Sequence, residues 1–504
     1  MSRKLSFQRS PTFALRSAAS FLRANVFTML LFSVCLVVPC IWHSHIQAGD
    51  LGSHVYNAWL AQLIEHHQIS GLTIGVQWSN VLFDWLLLQA GNLIGFAAAE
   101  KVVVFLAALV FFWGSFSFIA EASGEPPWKL VPFLFVLTYG YVFHMGFMNY
   151  YLSLGLTFFA LALVWRGGTG NWIVAGALSA PSLLAHPIGF LFFWTLAAYV
   201  FLWRKLARWS RFVLPAAAIF SAVLSKFYFA AHGALEADWR DSGFVQLLGQ
   251  DQLSLFGYRY VTLSWVALTW VIFCALAAVY DWIFRARRPS ASLRLASELY
   301  VVAVVVTFCL PENFRVNLYS GWVGLLVSRL TLVTAIFGLL VLSSLRLPRI
   351  CVHGNWLLTL IFFAFLYGDT GRLDHMENTA REAIQTLAPG TRVVAVANPP
   401  SDWRVQFIYH SIDRACVGHC FSFANYEPSS GQFRVRAQPG NYFATASADQ
   451  ADNMSSGDYV VQPGDLPLTS IYQCDLQDFT QLCALPLRAG QRTEDPEAEP
   501  APLR

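Results

Sequence analysis

The stretch Gly49-Asp50-Leu51-Gly52-Ser53-His54 sets a carboxylate and an imidazole four residues apart. On a helix that spacing puts both groups on one face, one turn apart. A carboxylate at a water interface can take the proton from an attacking hydroxyl as general base, or help hold a divalent cation. The plainer reading is an N-cap, in which an Asp50 oxygen accepts an orphan N–H of the following helix. The two readings are compatible. Arg315 and Arg329 offer the complementary charge. Arg315 stands in a polar stretch running from Pro311 to Gly324, and Arg329 falls within the first turns of an apolar run. A guanidinium stays charged and grips a phosphate leaving group bidentately. An unpaired charge inside a membrane span costs roughly 3 kcal/mol on insertion scales, so Arg329 is either functional or paired with a carboxylate of a neighbouring helix. Lys101 beside Glu100 has the simpler reading of a snorkelling or locally paired lysine.

His144, Asn149 and Tyr150 cluster where two apolar runs meet, and His186-Pro187 separates two more. Amide and imidazole groups there can hydrogen-bond a sugar, and His186 can meet a phosphate. Tight turns with interfacial aromatics give the same pattern. Of nine cysteines, Cys35, Cys40, Cys274, Cys309 and Cys351 lie in or beside apolar runs and read as small fillers. Cys416, Cys420, Cys474 and Cys483 lie beyond them, where three pairings exist. Disulfides are the expectation. Free thiols, or a zinc site on Cys416-x3-Cys420 with His419 between, also fit the spacing.

The elements that carry these residues are set by composition. The 504-residue chain is 56% hydrophobic and 12% charged, where soluble domains average about 25% charged. Apolar runs at 26–42, 98–119, 130–145, 150–165, 172–185, 187–203, 212–230, 260–284, 297–311, 325–344 and 354–368 approach or reach the roughly 20 residues a spanning helix needs. The expected fold is an α-helical polytopic membrane protein of about 11 spans, with interfacial helices in its first outer loop and a small C-terminal α/β extracytoplasmic domain. The first run follows a basic leader but no small-residue cleavage site, and reads as a retained helix. Seventeen Lys and Arg fall in the segments that an N-in orientation places inside, against three outside (Arg240, Arg259 and Arg315). That bias predicts a cytoplasmic N-terminus and an outer C-terminal domain. The organisation is then 1–25, a basic cytoplasmic segment; 26–368, the transmembrane domain; 369–488, the outer α/β domain; and 489–504, a disordered tail.

Residues 43–97 contain no Lys or Arg and are too long for a turn. Within them, 51–66 reads as an amphipathic helix lying on the outer membrane surface with its apolar side down. A second helix is expected at 78–91. Further outer loops are expected at 231–259 and 311–324. In the outer domain 374–387 reads as helix, and 391–397, 403–409, 432–437 and 457–461 as strands.

Three clusters carry a resemblance: Asp50-x2-Ser53-His54-x-Tyr56-Asn57-Ala58, His144-x-Gly146-Phe147-x-Asn149-Tyr150 and Leu184-Ala185-His186-Pro187, with Arg329 near the last spans. With the long first outer loop, they resemble the C-type (GT-C-like) membrane glycosyltransferases, in particular a large bacterial group, a resemblance that implies a bacterial inner membrane. The likeness covers the layout of residues 26–345. It implies transfer of a sugar from a polyprenyl-phosphate donor to an acceptor hydroxyl outside the membrane, the acceptor being a saccharide, lipid or protein. It implies Asp50 as catalytic base, with His54, Asn57, His144, Asn149, His186, Arg315 and Arg329 binding substrate. Many such enzymes carry a second outer acidic residue. Here Glu65, Asp84, Glu236, Asp238, Asp241 and Asp251 all qualify, so a divalent cation is the one cofactor in question. Two other classes fit the same chain, an envelope-polysaccharide scaffold and a transporter of lipid-linked intermediates. An enzyme requires Asp50, His54, His186 and an arginine to converge on one outer cavity. The chain has no phosphate loop, zinc-binding His-Glu-x2-His or nucleophile elbow, and its basic residues are topology signals that give no support to nucleic-acid binding.

Overall fold

The computed structural model describes residues 11–207, 210–231, 237–238, 248–284, 291–315, 322–345, 347–396, 400, 402–405, 408–431, 433–475 and 478–493. The membrane part begins with α1 (Pro11–Ile41), α2 (Leu51–Glu65), strand β1 (Leu72–Ile74), α3 (Leu82–Ile94) and α4 (Phe96–Ser123). It continues through α5 (Val131–Thr138), α6 (Tyr141–His144), α7 (Met148–Arg166), α8 (Thr169–Ala185), α9 (Pro187–Lys205) and α10 (Val213–Ala231). Then come β2 (Ala237–Asp238), α11 (Tyr258–Phe284), α12 (Ala291–Cys309), β3 (Asn313–Arg315), β4 (Trp322–Val323), α13 (Leu326–Ser343) and α14 (Arg349–Gln385). Among the described residues nine helices are long and apolar enough to cross a bilayer: α1, α4, α7 and α9 to α14.

Two of the eleven expected spans differ from that description. The helix α8 has 17 residues, just short of a span. The run 130–145 breaks into α5 and α6 at Gly140, where a Cβ would come within 2.9 Å of the Gln252 carbonyl oxygen. Gln252 sits in a short 3-10 turn between α10 and α11, and its side chain accepts from the Val142 N–H at 3.2 Å. The glycine therefore exchanges helix continuity for a docked loop.

The C-terminal part carries β5 (Arg392–Val396), α15 (Ile408–Ala415), β6 (Phe421–Ser422), α16 (Tyr426–Ser430), β7 (Val435–Ala437), α17 (Ala448–Ser456), β8 (Thr469–Gln473) and β9 (Leu482–Pro486). Its sheet has the order β6-β5-β8-β9, parallel at β5–β6 and β5–β8 and antiparallel at β8–β9. Disulfides join Cys416 to Cys420 and Cys474 to Cys483. The expected helix 374–387 is the end of α14, whose 37 residues run unbroken for about 55 Å. The expected domain boundary at 368/369 therefore falls inside a helix. Of the expected strands, 391–397 and 432–437 hold β5 and β7. The stretch 403–409 leads instead into α15, and 457–461 contributes only one bridge, Val460 to Arg492.

The outer domain is bolted to the membrane part through α15. Arg414 reaches Glu377 of α14 through two hydrogen bonds and donates to Glu100 of α4 at 2.6 Å. Nearby, Gln47 donates to Glu377 at 3.0 Å and the His45 backbone N–H to Asp374 at 2.8 Å. This junction reshapes the expectation for α2. The helix forms where predicted, but residues Leu51 to Ala61 are buried on every side. One face packs on α3 and the other lies under α15, so close that a Cβ on Gly52 would sit 1.9 Å from the His410 carbonyl oxygen. The polar face of α2 thus meets protein rather than water.

Candidate active site

The Asp50 backbone is pinned at the outer end of α6. Gly49 N–H donates to the His144 carbonyl at 2.7 Å and Asp50 N–H to the Met145 carbonyl at 3.0 Å. Such close approach requires Gly146, which has φ +81° and whose Cβ, if present, would lie 2.4 Å from the Asp50 nitrogen. Asp50 occupies the N-cap position of α2, yet its backbone is already helical (φ −68°, ψ −9°) and its side chain makes no cap hydrogen bond. N-cap residues normally hold an extended backbone that aims the side chain back at the helix. The carboxylate is turned away, with 28% of its side chain exposed, and its nearest charged neighbour is His410 Nε2 at 3.8 Å. The other nitrogen of that ring donates to Asp413 Oδ2 at 3.0 Å, and Tyr426 packs on it with ring centroids 5.1 Å apart. Burial opposes a charge on His410, but the hydrogen bond and charge of Asp413, with Asp50 and Glu427 beyond, raise it above its ordinary value.

A second acidic group stands beside this one. His54 donates from Nδ1 to Asp84 Oδ1 at 2.6 Å, and the same nitrogen lies 3.7 Å from Glu427. Asn149 donates to the other Asp84 oxygen at 2.7 Å and accepts from the Phe83 N–H at 2.8 Å. Ser53 donates to Glu427 at 3.1 Å. Asn57 donates to the Ser53 carbonyl at 2.9 Å and to Asn425 at 3.0 Å, and Asn425 donates to Asp413 at 2.8 Å. Burial works against protonation of His54, yet Asp84, Glu427 and Asp50 outweigh it and push the ring up to about 10. Burial raises Glu427, with Asp84 and Asp50 adding to it against the opposing pull of His54 and Ser53. The cluster therefore sets an imidazole whose protonated form is favoured among carboxylates, and Glu427 is a carboxyl group that burial pushes up. No group of three or more His, Cys, Asp or Glu side chains among the described residues is arranged to hold a metal ion.

Arg329 completes the neighbourhood from the first turns of α13. Its guanidinium stacks over Phe147 at 4.2 Å and lies 5.8 Å from the Tyr150 ring centre. Its Nε is shut off from solvent without a hydrogen-bond partner. No carboxylate among the described residues pairs with it, although Asp50 and Glu312 lie within electrostatic reach. Tyr150 donates to the Arg329 carbonyl at 3.1 Å and packs edge-on against His186, ring centroids 5.5 Å apart. His186 caps α9, its Nδ1 accepting from the Ile188 N–H at 3.2 Å. Burial and the Arg329 charge hold His186 well below its ordinary value. The ring is neutral, and its remaining proton sits on Nε2 as a donor.

The expected site residues therefore take different places. Among the described residues Asp50 and Arg329 are both left without hydrogen-bonding side-chain partners. His54 and Asn149 bind Asp84, which places that candidate acidic residue beside the Asp50 region. Asn57 is engaged in the Ser53–Asn425 network. His144 is buried and hydrogen-bonds the Gln47 carbonyl at 2.8 Å, beside the segment that ends in Asp50. The side chain of Arg315, with Glu236 and Asp241, lies outside the described residues. Asp251 is paired with Arg404 at 3.2 Å. His410, Asp413, Asn425, Tyr426 and Glu427 all come from the outer domain and were not singled out in the sequence. The one local signal was His410-x2-Asp413, which on a helix puts an imidazole and a carboxylate on one face. No family model, curated protein or solved structure matches this chain.

Proposed function

We propose that the chain is a membrane glycosyltransferase that moves a sugar from a polyprenyl-phosphate donor to an acceptor hydroxyl on the outer side of the membrane. The observation that carries this reading is a pair of opposite charges that do not consume each other. The Asp50 carboxylate has no cap bond, and the Arg329 guanidinium has no carboxylate partner among the described residues. Two such charges at electrostatic range, left open at an outer helix end, fit a reaction that needs a base at one point and an anion site at another.

In this reading Asp50 takes the proton of the acceptor hydroxyl, and the oxygen attacks the anomeric carbon from the side opposite the phosphate. The bond from that carbon to the phosphate oxygen breaks, its electron pair leaves with the lipid phosphate, and the anomeric configuration inverts. Arg329 stabilises the charge that grows on the departing phosphate, and neutral His186 adds a hydrogen-bond donor. His410, held by Asp413, fixes the orientation of Asp50. The His54–Asp84–Glu427 cluster shapes the field beside the base. The resemblance in layout supports the substrate class. The electrostatic proximity of Asp50 to His54 and Arg329, and of Arg329 to His186, supports an enzyme over a scaffold.

The test is transfer of radiolabelled sugar from polyprenyl-phosphate donors in proteoliposomes, comparing the native protein with Arg329→Gln at equal folded amounts. Loss of turnover with donor binding weakened would support the reading. Unchanged transfer by Arg329→Gln would remove the anion site from the mechanism. The absence of transfer with any donor tried would favour a scaffold.

A further inference from the structure

A second polar surface lies on the far side of α3 from the carboxylates. The strand β1 pairs antiparallel with β7, Thr73 opposite Arg436, and the Gly75 N–H continues the ladder to the Arg434 carbonyl at 2.7 Å. Side chains alternate across such a ribbon. Leu72, Ile74, Val435 and Ala437 join the core, so Thr73, Gly75, Arg434 and Arg436 share the other face. Gly75 leaves that face low. Arg436 lies across it so closely that a Cβ on Gly75 would meet its Nε at 2.4 Å. Beside the ribbon is a cavity of about 410 Å³ lined by Gly75, Gln77, Val81, Leu82, Trp85, Leu184 and Arg434.

The rim of this cavity is apolar and open. Val76 is 80% exposed, Trp78 77% and Trp85 48%. The Val81 N–H donates to the Leu184 carbonyl at 3.0 Å, which ties the rim to the outer end of α8. Exposed tryptophans at a helix end of a multi-span protein mark the level of the lipid headgroups. The charge above that level is positive. Among the described residues the Arg434 side chain meets only Glu65, at 3.5 Å between partly exposed side chains, a kind of pair that contributes little. Among the same residues the Arg436 side chain is hydrogen-bonded only to the Phe433 carbonyl, at 3.4 Å. Two guanidinium groups thus face one carboxylate, over an aromatic rim at headgroup depth.

We infer that this groove holds the phosphate headgroup of an anionic phospholipid of the outer leaflet, its acyl chains running down past Trp85 and Leu184. The guanidinium groups supply paired donors to the phosphate oxygens, and the tryptophans supply the amphipathic rim. The site is separate from the proposed active site. Leu82 and Trp85 face the groove, whereas Asp84 on the same helix turns inward to His54 and Asn149. It does not depend on the catalytic reading.

The experiment is native mass spectrometry of the purified full-length protein, counting phosphatidylglycerol retained at graded concentrations. Native protein is compared with Arg434→Gln/Arg436→Gln and with Arg488→Gln, an exposed control on the same domain. Surface arginines each strengthen anionic-lipid binding severalfold, so the double variant should bind phosphatidylglycerol about tenfold or more weakly. The control and the binding of phosphatidylcholine should not change. Equal phosphatidylglycerol retention by the native protein and the double variant overturns the assignment. So does selective loss of polyprenyl phosphate with phosphatidylglycerol retained, which would give the groove to the lipid-linked substrate.

Discussion

Replacing Asp50 separates a base from a cap. A working N-cap contributes about 1 kcal/mol, and serine fills that role as well as aspartate. Asp50 makes no cap bond, so that contribution is not there to lose. Its remaining interaction is with His410 at 3.8 Å, between side chains 28% and 19% exposed. Exposed and half-exposed pairs of this kind contribute about 0.2–1 kcal/mol, and His410 keeps Asp413 in either variant. Asp50→Asn and Asp50→Ser should therefore both shift the apparent melting temperature by only a few degrees. A positioned general base accelerates by roughly 10²–10⁴-fold, and neither amide nor hydroxyl replaces it. Both variants should lose sugar transfer by about that factor. The assays are thermal denaturation in detergent and single-turnover transfer in proteoliposomes. Asparagine and serine both cap as well as aspartate, so transfer retained in both variants would show a capping role and refute the argument. A collapse in stability of either variant would show that the carboxylate is spent structurally.

Three further outcomes follow from the same geometry. Arg414→Met leaves Glu377 and Glu100 buried without their cation, and should destabilise by about 3–5 kcal/mol, read as a large fall in the thermal midpoint. His54 is raised from 6.5 to about 10 in the folded protein. Its stabilisation is complete below pH 6.5, where both folded and unfolded states are protonated, and is lost progressively as pH rises to about 10. A thermal midpoint that rises across that window would contradict the assigned His54–Asp84 pair. Gly146→Ala combines strain at φ +81°, about 1–3 kcal/mol, with a clash on Asp50. It should lower both stability and transfer more than the distant Gly124→Ala, which has φ +85° and nothing within 4 Å and so carries the strain alone.

The parts legible in the sequence are those fixed by local composition. Apolar length alone locates α4, α11 and α14, because a span must bury its own backbone whatever its neighbours are. The start of α2 and the exposed position of Asp50 follow from the polar break after α1. Features that depend on a distant partner were not legible. Gly140 looks like any glycine in an apolar run until Gln252 docks on it. Trp403, Val405 and Phe407 alternate with Arg404 and Gln406 as a strand does, yet α15 begins at Ile408. Tertiary context overrides so short a pattern. The carboxylate cluster shows the same limit. Asp84 was one of six candidates, and its place in the cluster appears only through the contacts of His54 and Asn149. His410 and Glu427 lie in short helices of the outer domain, where nothing nearby in the chain announces a second half to the site.

The attachment of the outer domain bears on how substrates reach Asp50. Arg414 and His410 are one turn apart on α15, so they share a face and move together. Arg414 is fixed by carboxylates from two membrane helices, and its grip sets the rotation of α15 about its own axis. That rotation in turn sets His410 against Asp50. Lifting the domain to admit substrate would strip the arginine from its carboxylates and separate α15 from Gly52. Breaking a buried ion pair costs about 3–5 kcal/mol, which leaves an open state at roughly one molecule in a hundred or fewer. A roof held this firmly is a poor gate. In the proposed reaction substrates would then reach Asp50 from the side rather than through this roof. The C-terminal domain carries His410, Asp413 and Glu427 against residues contributed by the membrane helices, and the buried ion pairs of Arg414 hold them there.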